Sequence, residues 1–141
     1  MADYKDSLKK FQKSLKALEE QKKLYDEESL GPPHKYSDSV KDALVQRFEV
    51  CFDCFWKYLK VYLEKSAVKN IGSSPKEVLK KSVESDLLPH PLQKWHDYHD
   101  LRNSTSHDYN EKKALSVIEG AGTFVADAIK IYEKLKGEKW G

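Results

Sequence analysis

The sequence has few of the residue types that cross-link or interrupt small folds. Among its 141 residues are two cysteines, one methionine, six glycines and five prolines, and the formal net charge is only +2. Two cysteines cannot build the disulfide framework of a small secreted domain, and a chain of this length can bury a core without one. We therefore expect one domain, residues 1–141. The small net charge means that any nucleic-acid contact would come from a local patch.

Long hydrophobic runs are also missing. No apolar stretch approaches the roughly 20 residues that span a bilayer. The N-terminal segment MADYKDSLKK has no apolar core of the kind found in signal peptides. We therefore expect a cytoplasmic protein that does not contact a membrane.

The two cysteines lie in the segment CFDC, as Cys51 and Cys54, and two histidines, His96 and His99, lie in HDYH. A zinc site would require these two separate pairs to converge. A thioredoxin-like motif would require a strand next to the cysteines, and no convincing strand pattern occurs. Free cysteine is usually a small buried filler, and the histidines are expected on the surface of a helix. We predict no bound metal and no other cofactor.

Apolar residues recur at helical spacing in the first half of the chain. The first series predicts an amphipathic helix from about residue 4 to 28, which GPPHKYSDS ends. Asp38 or Ser39 is expected to cap a long second helix within the segment SVKDALVQRFEVCFDCFWKYLKVYLEKSA. This segment has a wide apolar band and is predicted to be the central core helix. The band consists of Val40, Leu44, Phe48, Phe52, Phe55, Leu59, Tyr62 and Leu63.

Three further helices are predicted in the second half. Ser74, Pro75 and Glu77 form a capping-box start for a short helix of about 75–86. Pro91 can open a fourth helix, and Asp108 with Glu111 can cap a last helix of about 109–136. The expected core face of that last helix consists of Leu115, Ile118, Phe124, Val125, Ile129, Tyr132 and Leu135. The glycines 120 and 122 inside it indicate close helix contact or local softness. The predicted fold is all-α, an up-and-down bundle of four to five helices.

The segment LRNSTSHDYNE, residues 101–111, combines poor helix formers with side chains suited to phosphate chemistry. Arg102 offers a planar fork of donors to phosphate oxygens, and His107 can take or give a proton near neutral pH. Five positions on a straight helix correspond to roughly 140° of rotation, so these two side chains would meet only across a kink or turn. The alternative is structural: Arg102 caps helix four, His107 is a turn residue, and Tyr109 packs into the core.

The same segment resembles a known motif. RNSTSH fits the Arg-(four residues)-His pattern of the HEPN superfamily, and RNSTSHDY fits the extended form, with a tyrosine, of HepT-like toxins. QRFEVCFDCFWKYLKVYLE and SPKEVLKKSVESDLL resemble, in the same order, segments of the nucleotidyltransferase substrate-binding protein family. The resemblance extends over nearly the whole chain.

The resemblance implies a helical bundle that forms a homodimer and has a small, separately encoded nucleotidyltransferase as its partner. It implies that Arg102 and His107 are a catalytic pair that cleaves RNA without a metal. Asn103 and Ser106 would bind or orient the substrate, and Tyr109 would be the residue that the partner adenylylates. The motifs of two protomers would face one cleft, so the acting pair need not come from a single chain.

A second role stays open within the same family. The chain would then be a non-catalytic subunit that presents a substrate or nucleotide to the nucleotidyltransferase. The roles of Arg47 and Glu49 are also open: they flank a largely apolar helix and would brace the site or make an intrahelical or dimer contact. Trp56 and Trp95 are expected to be core aromatics rather than platforms for base stacking.

Overall fold

The computed structural model describes residues 3–29, 37–105 and 110–141, which contain five α-helices and no strand. The helices are α1 (Tyr4–Ser29), α2 (Ser37–Lys65), α3 (Pro75–Glu84), α4 (Leu92–Asn103) and α5 (Glu111–Lys136). The predicted all-α class is confirmed. In these ranges no helix combines the length and apolarity that crossing a lipid bilayer requires.

The four helices α1, α2, α4 and α5 alternate in direction around a common core, and α3 packs against α2 and α4. Tyr4, at the start of α1, contacts Tyr58 near the end of α2. Gln21, further along α1, donates to the carbonyl of Val40 near the start of α2. This antiparallel pairing confirms the predicted up-and-down bundle.

An aromatic cluster centred on Phe124 of α5 fills the middle of the bundle. Its ring meets the rings of Phe48 and Phe55 edge-on, with centroids 5.4 Å apart in each pair. The ring of Tyr98 in α4 is 5.2 Å away. Apart from half-buried Tyr62, every residue of the predicted apolar band of α2 is buried. The prediction that α2 is the central core helix is therefore confirmed.

The start of α3 agrees with its predicted capping box. The Ser74 hydroxyl accepts a hydrogen bond from the Glu77 amide at 3.2 Å and donates one to the Glu77 carboxylate at 2.8 Å. These bonds satisfy an amide that the helix itself leaves without a partner. The helix ends at Glu84, two residues before the predicted end, because Asp86 adopts a left-handed backbone with φ of +61°.

Two predictions for α5 were wrong. The helix begins at Glu111 rather than near residue 109, because the side chain of Asn110 accepts the hydrogen bond from the Lys113 amide and is the cap. Asp108, the predicted cap, lies outside the described residues. Leu115 is 43% exposed rather than part of the core face, because it lies at the edge of the apolar stripe beside a surface groove.

Gly120 of α5 faces the side chain of Leu101 in α4. A β-carbon at this position would collide with the Cδ1 atom of Leu101 in α4. Of the two readings left open for the glycines, close helix contact is therefore the one that the structure supports at Gly120. Leu101 directly precedes Arg102 in the last turn of α4.

Candidate functional site

Arg102 lies in the last turn of α4 and faces the middle of α2. Its Nε and Nη2 atoms donate to the two carboxylate oxygens of Asp53, at 3.0 and 3.1 Å. Its Nη1 atom donates to Glu49 Oε2 at 2.8 Å. Three of the five N–H groups of the guanidinium therefore bind α2, which leaves one on Nη1 and one on Nη2 outside these bonds.

Glu49 and Asp53 reach the same guanidinium because residues four apart lie on one face of a helix. The hydrogen bonds to Asp53 raise the pKa of Arg102 above its ordinary value, more than its partial burial lowers it, and the charge of Glu49 adds to the effect. The Arg102 side chain is 25% exposed, so the guanidinium is fixed in orientation but still reachable from solvent. Of the roles left open for Glu49, the structure supports bracing of the site.

Asn103 and His99 form a second contact on the same turn of α4. The side-chain nitrogen of Asn103 is 3.2 Å from His99 Nε2. The His99 ring stacks on Phe52 of α2, with centroids 5.8 Å apart. Phe52 and Asp53 are neighbours in α2, so His99 and Arg102 contact the same turn of that helix.

The surroundings of His99 shift its pKa. Burial lowers the pKa of His99 below the ordinary value. The nearby side chains of Lys76, His96 and Arg102 lower it further, and the carboxylate of Asp100 opposes them. The Nδ1 atom of His99 is buried and has no hydrogen-bond partner in the described ranges. His96 and His99 lie on α4 as expected, and both are half-buried rather than fully exposed.

α4 ends immediately after these residues. The Ser104 hydroxyl donates to the carbonyl of Leu101 at 2.8 Å, a side-chain bond of the kind that competes with helix continuation. Of the other predicted site residues, Ser106, His107 and Tyr109 lie outside the described residues. The structure thus places Arg102 and Asn103 side by side at the end of α4, with the rest of the motif following in the chain before α5 begins.

The cysteines have the structural role expected of them. Cys51 is fully buried in the core, and burial raises the pKa of its thiol to about 12. Cys54 is half-buried. Over the described part of the chain, no three His, Cys, Asp or Glu side chains are grouped closely enough to hold a metal ion. Trp95 is a fully buried core aromatic as predicted, and Trp56 is half-buried against the core.

A buried carboxylate that the sequence reasoning did not identify joins α4 to α5. Asp127 of α5 accepts hydrogen bonds from Tyr98 at 2.7 Å and His90 at 3.0 Å, and Lys94 pairs with it at 3.1 Å. Burial would raise the pKa of Asp127, but these three partners outweigh it and lower the pKa. The available signal was an aspartate three residues after Phe124, on the core face of an apolar helix.

Asp53 was also missed. Its position between the two cysteines in CFDC was interpreted only as part of a core helix, although it lies four residues after Glu49. A pair of carboxylates four residues apart lies on one face of a helix and can hold a cationic side chain between them. That signal points to a brace for an arginine, but it does not say which arginine.

Comparison with known proteins places this fold and site in a family. Residues 6–137 match the family model described as "Nucleotidyltransferase substrate binding protein like". The chain belongs to this family. The match covers all five helices except for the first two residues of α1, so it includes both sides of the Arg102 contact with α2.

Three relatives are similar to it. The Haemophilus influenzae protein named "Probable ribonuclease HepT" is 28% identical over 107 residues, which cover 74% of this chain and 73% of the relative. HI0074 of Haemophilus influenzae, described as a substrate binding domain of a nucleotidyltransferase, is 25% identical with a TM-score of 0.75, covering 92% of this chain and 98% of that one. A Thermus thermophilus protein of known crystal structure is 29% identical with a TM-score of 0.65, covering 84% of this chain and 98% of that one.

Proposed function

We propose that this chain is a metal-independent endoribonuclease of the HepT type and the helical component of a two-gene nucleotidyltransferase system. The observation that carries the proposal is the fixed guanidinium of Arg102, which has two N–H donors outside its contacts with α2. The proposal is also supported by a relative that is named as a probable ribonuclease and is similar over about three quarters of this chain.

In the proposed reaction the 2′-hydroxyl of a ribose attacks the adjacent phosphorus. The new bond joins O2′ to phosphorus and the bond from phosphorus to O5′ breaks, which leaves a 2′,3′-cyclic phosphate and a 5′-hydroxyl. His107 takes part in the transfer of the proton from O2′ to O5′. Arg102 stabilises the negative charge that develops on the non-bridging oxygens. Asn103 and Ser106 orient the phosphate.

The proposed regulation is adenylylation of Tyr109 by the partner nucleotidyltransferase. An added AMP would bring bulk and phosphate charge beside the proposed cleft and exclude RNA. The active form is proposed to be a cytoplasmic homodimer of residues 1–141, with the motifs of the two protomers facing one cleft. Mass spectrometry after incubation with the partner and ATP would locate one AMP on the peptide that carries residue 109.

The cleavage assay in EDTA tests the catalytic proposal. Purified protein should cut RNA with the metal removed, and Arg102→Ala or His107→Ala should abolish cutting without loss of helical circular dichroism. Arg47→Ala is a matched control, since Arg47 is an exposed arginine of α2 that donates to the Ala17 carbonyl on α1. If His107→Ala cuts as well as the parent, the role proposed for His107 is wrong.

The second candidate function is a non-catalytic subunit that presents substrate or nucleotide to the nucleotidyltransferase. The description of HI0074 as a substrate binding domain favours it. Under this proposal Arg102 binds a phosphate, the isolated chain forms a stable complex with its partner, and it has no ribonuclease activity. If the isolated chain cleaves RNA and Arg102→Ala abolishes the cleavage, this second function is contradicted.

A further inference from the structure

We propose that Glu49 and Asp53 are specificity-determining residues that set how much negative charge Arg102 accepts. They would favour the single charge of an internal phosphodiester over the multiple charges of a terminal phosphate or a nucleoside triphosphate. This inference rests on the proposed function, namely that Arg102 contacts a phosphate of the substrate.

The charge of the cluster is the first step. One guanidinium carries +1 and the two carboxylates carry −2, so the three side chains together carry a formal charge of −1. An arginine left to bind phosphate by itself would present a net positive charge. Any anion that reaches the two remaining N–H groups of Arg102 therefore also meets two carboxylates bound to the same group.

The accessibility of these side chains is the second step. Arg102, Glu49 and Asp53 are 25%, 26% and 37% exposed, so all three meet the same solvent-facing surface. Charges that are only partly buried are screened less than fully exposed ones, and the repulsion between them acts over distances shorter than the Debye length of about 8–10 Å. A phosphate bound to Arg102 lies within that distance of both carboxylates.

The third step is the charge of the ligand. An internal phosphodiester has one negative charge, which its two non-bridging oxygens share. These two oxygens can accept from the two remaining N–H groups of Arg102, whose positive charge Glu49 and Asp53 already partly neutralise. A terminal phosphate near neutral pH carries close to two charges, and ATP carries more. Repulsion from the cluster grows with each added charge, so the carboxylates discriminate by charge while they hold the guanidinium in place.

Binding of uncleavable probes tests this inference separately from catalysis. The probes are a two-nucleotide 2′-O-methyl oligonucleotide, which has one internal phosphodiester and no terminal phosphate, and ATP, measured by competition on the full chain. The parent should bind the oligonucleotide and discriminate against ATP. Glu49→Gln keeps an oxygen to accept the Arg102 hydrogen bond but removes one charge. It should reduce the discrimination by roughly tenfold, an order of magnitude for one partly screened charge.

Asp53→Asn is a second variant that removes the other charge, and it should shift the ratio in the same direction. Glu64→Gln is the matched control. It removes the same charge from the same helix, 15 residues from Glu49, which is roughly 22 Å along the axis and outside the screening distance. The control should leave the ratio unchanged. Circular dichroism checks that each variant is folded.

The outcomes separate the inference from the proposed function. If Glu49→Gln and Asp53→Asn weaken both probes equally, the carboxylates only hold Arg102 and the inference is overturned. Tighter binding of ATP than of the oligonucleotide by the parent also overturns it. If the parent neither binds the oligonucleotide nor cuts RNA, the proposed function is contradicted, and so is the inference that rests on it. Cleavage with an unchanged ratio in both variants leaves the function standing and rejects the inference alone.

Discussion

Arg102 and Asp53, which are 49 positions apart in the chain, form a two-pronged contact with N···O distances of 3.0 and 3.1 Å. This contact joins the end of α4 to the middle of α2 and fixes the plane of the guanidinium. A lysine at the same position would keep the charge but not the fork of donors. The geometry, and not the charge alone, is what the proposed chemistry uses.

Arg102→Lys should therefore separate activity from stability. We expect cleavage of RNA to fall by about a hundredfold, the usual effect of losing a donor to a developing oxyanion. The free energy of unfolding should change by less than about 1 kcal/mol, because the ion pair is partly solvated. Steady-state cleavage and urea unfolding measure the two quantities. A variant with full activity would show that the fork is not used.

Asp127 should make the stability of the fold depend on pH. Its pKa in the folded protein lies below the ordinary value of 3.8 because Tyr98, Lys94 and His90 favour the charged form despite burial. The ionised carboxylate therefore stabilises the fold at pH values above the ordinary pKa, and this contribution is lost as the pH falls through the folded-state pKa.

Asp127→Asn should accordingly cost about 2 kcal/mol at pH 7, the usual contribution of hydrogen bonds to a buried charge. The difference from the parent should shrink as the pH falls from the ordinary pKa of 3.8 through the lower folded-state pKa, because the unfolded parent takes up a proton first. Asp97→Asn is the matched control, because Asp97 is exposed and bonds only to Gln93 within α4 among the contacts described. A difference that is constant from pH 7 to pH 3 would contradict the account.

The two glycines of α5 should respond differently to alanine. At Gly122 a new β-carbon would lie 3.3 Å from Cε of Lys22, a flexible side chain that can move aside. Gly122→Ala should thus stabilise the protein by about 0.5–1 kcal/mol through helix propensity. At Gly120 the new atom meets Leu101, so Gly120→Ala should stabilise less and lower cleavage by displacing the turn that carries Arg102. Equal melting temperatures and equal activities would show that this close contact has no effect.

The two thiols should differ in reactivity. Burial raises the pKa of Cys51 to about 12, so at pH 8 it is a protonated thiol that the core also shields from reagents. Cys54 is half-buried and within reach of solvent. Iodoacetamide should label one cysteine in the native protein and two in urea, as counted by mass spectrometry. Rapid native labelling of Cys51 would mean that α2 is not the packed core helix.

The sequence predicted the features that depend on local pattern. The apolar band of α2 and the capping box at Ser74 each involve residues within a few positions of one another, so periodicity and capping chemistry were sufficient. The start of α5 was harder, because Asp108 and Asn110 are both good caps and only the folded backbone shows which side chain accepts the bond. Leu115 was misassigned because periodicity gives the centre of an apolar stripe more clearly than its edge.

The candidate site shows the same difference between local patterns and contacts of distant residues. Arg102 and Asn103 stood out from the motif, and Glu49 from its charge on an apolar helix. Asp53 and Asp127 also carried a signal in their spacing from Glu49 and Phe124, but it does not name their partners, because those partners come from distant parts of the chain. The contact of His99 with Phe52 was not predicted for the same reason, because it depends on how α4 crosses α2.

The most direct test of the central claim uses a DNA oligonucleotide that contains a single ribonucleotide, incubated with the protein in EDTA. The account predicts one cut, on the 3′ side of the ribonucleotide, with a 2′,3′-cyclic phosphate on one product and a 5′-hydroxyl on the other. It also predicts no cut with His107→Ala. Cutting at deoxynucleotides, products with a 5′-phosphate, or cleavage that disappears in EDTA would contradict a metal-independent reaction that uses the 2′-hydroxyl.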